Sequence, residues 1–125
     1  MKRQELIDSL PMGLTRTVGR ILSFHVGRDN AITKGQLYAH LRESGYRNVK
    51  DLGRKTRVAV HELRHSGVIV CTSSSGAGYW LAADYNEAMD FIGEQRGRGA
   101  DILSTAQRLE RAAHEQFKQT PIRMF

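Results

Sequence analysis

Cysteine is nearly missing from this 125-residue chain: the one thiol, Cys71, excludes an internal disulfide and fits a reducing compartment. Long apolar runs are missing too. No stretch is long enough to span a bilayer, and the opening MKRQELIDSLPMGLTRT holds no apolar core of signal-peptide length. A soluble, cytoplasmic protein without a membrane partner is the expectation. The chain also lacks a glycine loop of the phosphate-cradling kind, a serine or cysteine nucleophile system, and paired carboxylates placed for acid–base work. These absences argue against an enzyme and against a bound cofactor. With hydrophobic residues at 40%, there is enough for a modest core but little for a large pocketed enzyme.

What is abundant is positive charge, and it is unevenly spread. The formal net charge is +6. Between Arg16 and Arg64 eleven Lys or Arg stand against four Asp or Glu, whereas His65–Phe125 holds six against seven. All the excess therefore lies in the first half of the fold, as expected for a polyanion partner.

Periodicity supplies the elements. Residues 1–14, with Pro11 and Gly13, suggest a loose arm with a short helical turn over Gln4–Leu10. Leu14, Val18, Ile21, Leu22 and His25 predict a helix from about Thr15 to Val26, closed by the turn residues GRDN at 27–30. Ala31 and Ile32 suggest a very short strand. Thr33 and Gln36 form a capping box for a second helix with Leu37, Tyr38 and Leu41 inward, stopped by Gly45. Asp51 is expected to cap a third helix that ends at Gly67. Its inward face is Leu52, Thr56, Ala59, Val60 and Leu63.

VIVCTSS and GYWLA, joined by a Ser/Gly turn, predict a hairpin in which one of Tyr79 and Trp80 is core and the other near the surface. Cys71 is expected buried and inert. Asp84 and Glu87 form a second capping box for a helical extension over 84–118, with a kink expected at the glycines of 97–99. Ile102, Ala106, Leu109 and Ala113 step by 4, 3 and 4 and offer a seam for a homodimer, or for packing back onto the domain. Residues 119–125, QTPIRMF, are expected to be a flexible tail. Gln119 with Ile122 and Phe125 weakly resembles peptides that dock on bacterial sliding clamps.

Helix, short strand, two helices and a hairpin give an α+β, mostly α layout. The run VAVHELRHSGVIVCTSSSGAGYWLA, through Leu63, Arg64, Gly67, Ile69, Gly78, Tyr79, Trp80 and Leu81, resembles the recognition helix and wing of small bacterial and bacteriophage winged helix-turn-helix proteins. The resemblance covers residues 15–83. It implies double-stranded DNA as partner, in a transcriptional or replication regulator. It also implies that the third helix enters the major groove and that the Ser73–Ala77 turn is the wing. The start of the second helix, near Lys34, would then meet phosphate. The same fold also serves as a protein-interaction adaptor in replication or transcription machines, which is the alternative function.

Within that frame Arg54 and Arg57 are the expected base readers, since Arg makes the bidentate contact to guanine, with Lys55 on phosphate. Lys34, Arg47 and Lys50 form the remaining phosphate set, joined by His61 and, less centrally, Arg28. The wing sequence SSSGAG carries no Lys or Arg, so Ser74 and Ser75 would act only through hydroxyls and backbone amides.

One motif competes. HELRH, residues 61–65, matches the His-Glu-x-x-His pattern of zinc peptidases, with His61 and His65 one turn apart and Glu62 as potential base. Catalytic zinc needs a third protein ligand. The later His114 is far along the chain, Glu87 is already used as a cap, and Arg57 and Arg64 surround the site with cations. No metal is therefore expected, and a zinc hydrolase stands third.

Overall fold

The computed structural model describes residues 2–73, 76 and 78–117. It is mostly helical with one small antiparallel sheet. In chain order come α1 (Arg3–Asp8), α2 (Leu14–Leu22), a 3₁₀ turn (Arg28–Asn30) and α3 (Lys34–Leu41). A π-helical turn (Arg42–Tyr46), α4 (Leu52–His65), β1 (Val70–Thr72), β2 (Tyr79–Leu81) and α5 (Tyr85–Phe117) follow. Among the described residues no helix is long and apolar enough to cross a membrane. The chain divides into two compact units between Met89 and Asp90.

The first unit is built around α2 and α4. Val18 and Leu22 of α2 are fully buried, as is Leu63 of α4, and Val60 nearly so. All five inward positions expected in the third helix, Leu52, Thr56, Ala59, Val60 and Leu63, are buried. Thr56 satisfies its hydroxyl by donating to the Leu52 carbonyl at 2.7 Å, so a polar group is buried without an orphan donor. Residues 1–14 are not the loose arm expected. α1 sends Ile7 fully into the core, and Gly19 makes room for it. A Cβ at Gly19 would stand 3.0 Å from Leu63 Cδ2 and 3.1 Å from Ile7 Cγ2, so α1 and α4 both press on α2 there. Arg3 adds a tie, donating from Nη1 to the Ala82 carbonyl at 2.7 Å.

The helix expected to reach Val26 stops at Leu22 because the sheet claims the next residues. Leu81 donates its amide to the His25 carbonyl at 2.9 Å, and Gly27 donates to the Leu81 carbonyl at 2.8 Å. The short strand at 31–32 is a single bridge: Ile32 and Tyr79 exchange amide-to-carbonyl bonds, both 2.9 Å. β2 is therefore held on both edges, by β1 and by the segment that leads into α3. The β1–β2 register pairs Val70 with Leu81, Cys71 with Trp80 and Thr72 with Tyr79. The burial of β2 departs from the expected alternation, because both of its faces are covered. Tyr79 and Trp80 are both buried, at 4% exposure each, with the Arg28 guanidinium 5.8 Å from the indole centroid. Cys71 is fully buried.

The first capping box forms in full, and the second only in its Asp84 half. Thr33 Oγ1 accepts from the Gln36 amide and Gln36 Oε1 from the Thr33 amide, both at 3.1 Å. Asp84 Oδ1 accepts from the Glu87 amide at 2.8 Å, while Glu87 reaches back to the Ala83 amide instead of to that of Asp84. α3 loses regular α geometry at Arg42 and leaves through the π turn, where Gly45 takes φ 108. Asp51 does not cap α4 as expected. It occupies the left-handed region, φ 55 and ψ 41, outside the extended backbone usual for an N-cap, and it makes no capping bond.

In the second unit α5 runs unbroken through Gly97 and Gly99, so the kink expected there is absent. A Cβ at either glycine would meet nothing within 4 Å, so nothing packs there to force a break. The tail at 119–125 lies outside the described residues.

Candidate nucleic-acid interface

A helix advances about 100° per residue, so α4 separates its faces by sequence alone. Opposite its buried stripe, Arg54, Arg57, Val58, His61 and His65 share one exposed face, with Lys55 exposed on its flank. Val58 is 51% exposed at its centre. The ion pair found among the described residues joins Arg20 to Asp8 at 3.7 Å. No carboxylate among them pins Arg54, Lys55 or Arg57, and neither expected base reader is buried.

On one side this face is bounded by the start of α2, where Thr15 Oγ1 donates to Glu62 at 2.5 Å. That bond occupies the acid of the HELRH motif. His61 and His65 lie with ring centroids 4.2 Å apart. Among the described residues no third His, Cys, Asp or Glu joins them to make a group able to hold a metal ion.

On the other side stands the hairpin, and here the structure brings together what the sequence kept apart. A concavity of about 280 Å³ is lined by Lys34 at the start of α3, Arg57 and Arg64 of α4, Thr72, Ser73 and Tyr79 of the hairpin. Arg57 and Lys34 were expected there as ligands of DNA. Ser73 was expected only as part of the wing turn, and Arg64 only as a cation beside the buried face of its helix; Thr72 and Tyr79 were not expected. The spacing of seven between Arg57 and Arg64 places both on the hairpin side of α4.

Arg64 is half-buried, and its Nε donates to the Val70 carbonyl at 2.9 Å. Burial lowers its pKa, and Tyr79 and Cys71 oppose that shift. Tyr79 is displaced the other way. Burial pushes its phenol up and Tyr38 adds to the effect, while Arg64 and Arg57 pull it partly back. Tyr79 is therefore held in its neutral form and can donate its hydroxyl proton.

A raised folded-state pKa means that this contribution to stability is complete below the ordinary phenol value, about 10, and is lost as pH rises through the folded value. Urea midpoints should thus fall above about pH 10, and Tyr79→Phe should flatten that fall. An equal fall in the variant would remove Tyr79 as its source.

Arg47 and Lys50 are exposed between the π turn and α4, as is Arg28. Nothing draws Arg47 or Lys50 into the concavity, which leaves them as free cations beside the start of α4. Ser74 and Ser75, expected as wing contacts, lie outside the described residues. Comparison with known protein families, with curated proteins and with solved structures gives no match.

Proposed function

We propose that the first unit is a winged helix-turn-helix module that binds double-stranded DNA, with α3 and α4 as the helix pair and β1–β2 as the wing. The observation that carries this is the juxtaposition of two features on one side of the molecule. One is the unpinned Arg54–Arg57 face of α4; the other is the concavity that adds Lys34, Arg64 and two hydroxyl side chains next to it. A helix face with free guanidinium groups suits base edges in the major groove. A pocket of cations, hydroxyls and a neutral phenol beside that face suits the flanking phosphate. In this role the protein acts as a small regulator of transcription or replication.

Phosphate binding is measurable through counterion release. With Lys34, Arg47, Lys50, Lys55, Arg64 and His61 or Arg28 engaged, about six phosphates are neutralised. Log affinity should then fall against log salt with a slope of about −5. Fluorescence anisotropy on a duplex selected from a random pool, with a shuffled duplex as competitor, measures both slope and specificity. Absence of binding at low salt would exclude the DNA role and leave the adaptor function as the use of this surface.

A further inference from the structure

From Asp90 onward α5 exposes large apolar side chains: Ile102 is 70% exposed, Leu103 60%, Leu109 65% and Phe117 68%. The same stretch contains Gly93, Gly97 and Gly99, each costing about 1 kcal/mol against alanine inside a helix. In proteins most helical stability comes from packing of an apolar face and not from propensity alone. A glycine-bearing helix with an uncovered apolar face therefore gains most of its stability from a partner that covers the face.

We propose that this partner is a second copy of the same helix, packed antiparallel. The seam Gly99, Ile102, Ala106, Leu109, Ala113 keeps the 3–4 spacing of a coiled-coil core. Antiparallel pairing sets each large residue against a small one in two registers a heptad apart: Ile102 against the partner's Ala113 with Leu109 against the partner's Ala106, or Ile102 against the partner's Ala106 with Leu109 against the partner's Gly99. The second of these matches charge as well. That register also fixes the flanking positions. Arg96 falls opposite the partner's Glu110, twice by symmetry, and Leu103 meets the partner's Leu103 beside the two-fold axis. Sliding the pair by one heptad puts Arg96 against Leu103 or Phe117 instead. A parallel pairing stacks glycine on glycine and alanine on alanine, and it opposes Arg98 with Leu103 and Thr105 with Glu110, with no opposite charges matched. Size complementarity thus favours the antiparallel pairing, and charge complementarity selects the one register within it. It depends only on the second unit and stands whether or not the first unit binds DNA.

Sedimentation equilibrium of the full chain tests this. The expected mass is twice 14.1 kDa at micromolar concentration, and Leu109→Glu should give the monomer. Arg96→Glu alone, or Glu110→Arg alone, should weaken association about tenfold, because two attractive pairs become repulsive. The combined reversal should recover the original affinity to within about threefold. These positions are exposed, so their substitution leaves the core of the first unit intact. A chain that stays monomeric to about 100 μM overturns the proposal. So does a dimer that survives Leu109→Glu, or one in which the single reversals have no effect or the combined reversal fails to recover.

Discussion

Arg57→Ala should weaken binding to a selected DNA duplex by about tenfold to a hundredfold, the 1–3 kcal/mol that a bidentate arginine–guanine contact supplies. Arg57 is the residue common to both parts of the surface: it lies on the exposed face of α4 and lines the concavity beside the hairpin. Its terminal Nη1 comes within 3.9 Å of where a Cβ on Gly53 would lie, and the Tyr38 hydroxyl within 3.3 Å of the same point. The guanidinium is thus steered along α4, and truncation removes an oriented group. Arg57→Lys should not rescue, because a point charge cannot reproduce the planar fork.

Arg54→Ala should behave similarly and relax preference at one base position. Lys55→Ala should weaken all sequences about equally and make the salt slope shallower by about one. Anisotropy titrations with selected and shuffled duplexes at one fixed salt distinguish these outcomes. Unchanged affinity in the Arg54→Ala/Arg57→Ala double variant would end the case for α4 as the reading helix.

Gly78→Ala should destabilise the first unit by about 3 kcal/mol or more. The position has φ 99, a region that costs an L-residue about 1–2 kcal/mol. Its added Cβ would also stand 2.0 Å from the Ile32 carbonyl oxygen and 2.9 Å from the Thr33 Cα. Neither backbone atom can yield without opening the paired bonds between Ile32 and Tyr79. Each such bond contributes about 0.5–1.5 kcal/mol.

Gly76→Ala is the control. Its φ is 79, yet nothing lies within 4 Å of the new Cβ, so only the backbone cost of about 1–2 kcal/mol applies. Urea denaturation followed by Trp80 fluorescence measures both. Equal losses in the two variants would show that the close approach at Ile32 does not matter.

Much of the first unit was legible because its signals are local. Thr33 with Gln36 states a helix start within four residues, and Gly67 states an end. The spacing of Leu52, Thr56, Ala59, Val60 and Leu63 names a buried face without reference to any other segment. What escaped depends on contacts distant in sequence. Ile7 is inside because Gly19 and Leu63 leave a socket for it, and no local pattern announces that. Tyr79 and Trp80 are both covered, with Arg28 over the indole, whereas alternation presumes one open face. Asp51 looks like a cap by type and place, but its backbone is left-handed instead of extended and it makes no capping bond. For the candidate site, the cations of α4 were readable from composition and helical period. The concavity they share with the hairpin required the tertiary approach of Lys34, Arg64 and Tyr79.

The bond from Arg64 Nε to the Val70 carbonyl bolts the last turn of α4 to the first residue of the hairpin. Under the proposed DNA-binding role, this tie would hold α4 and the hairpin like the two jaws of a caliper, and a duplex whose groove width or curvature departs from that gauge would have to bend to fit. Selectivity would then include the mechanical compliance of base steps that no side chain touches.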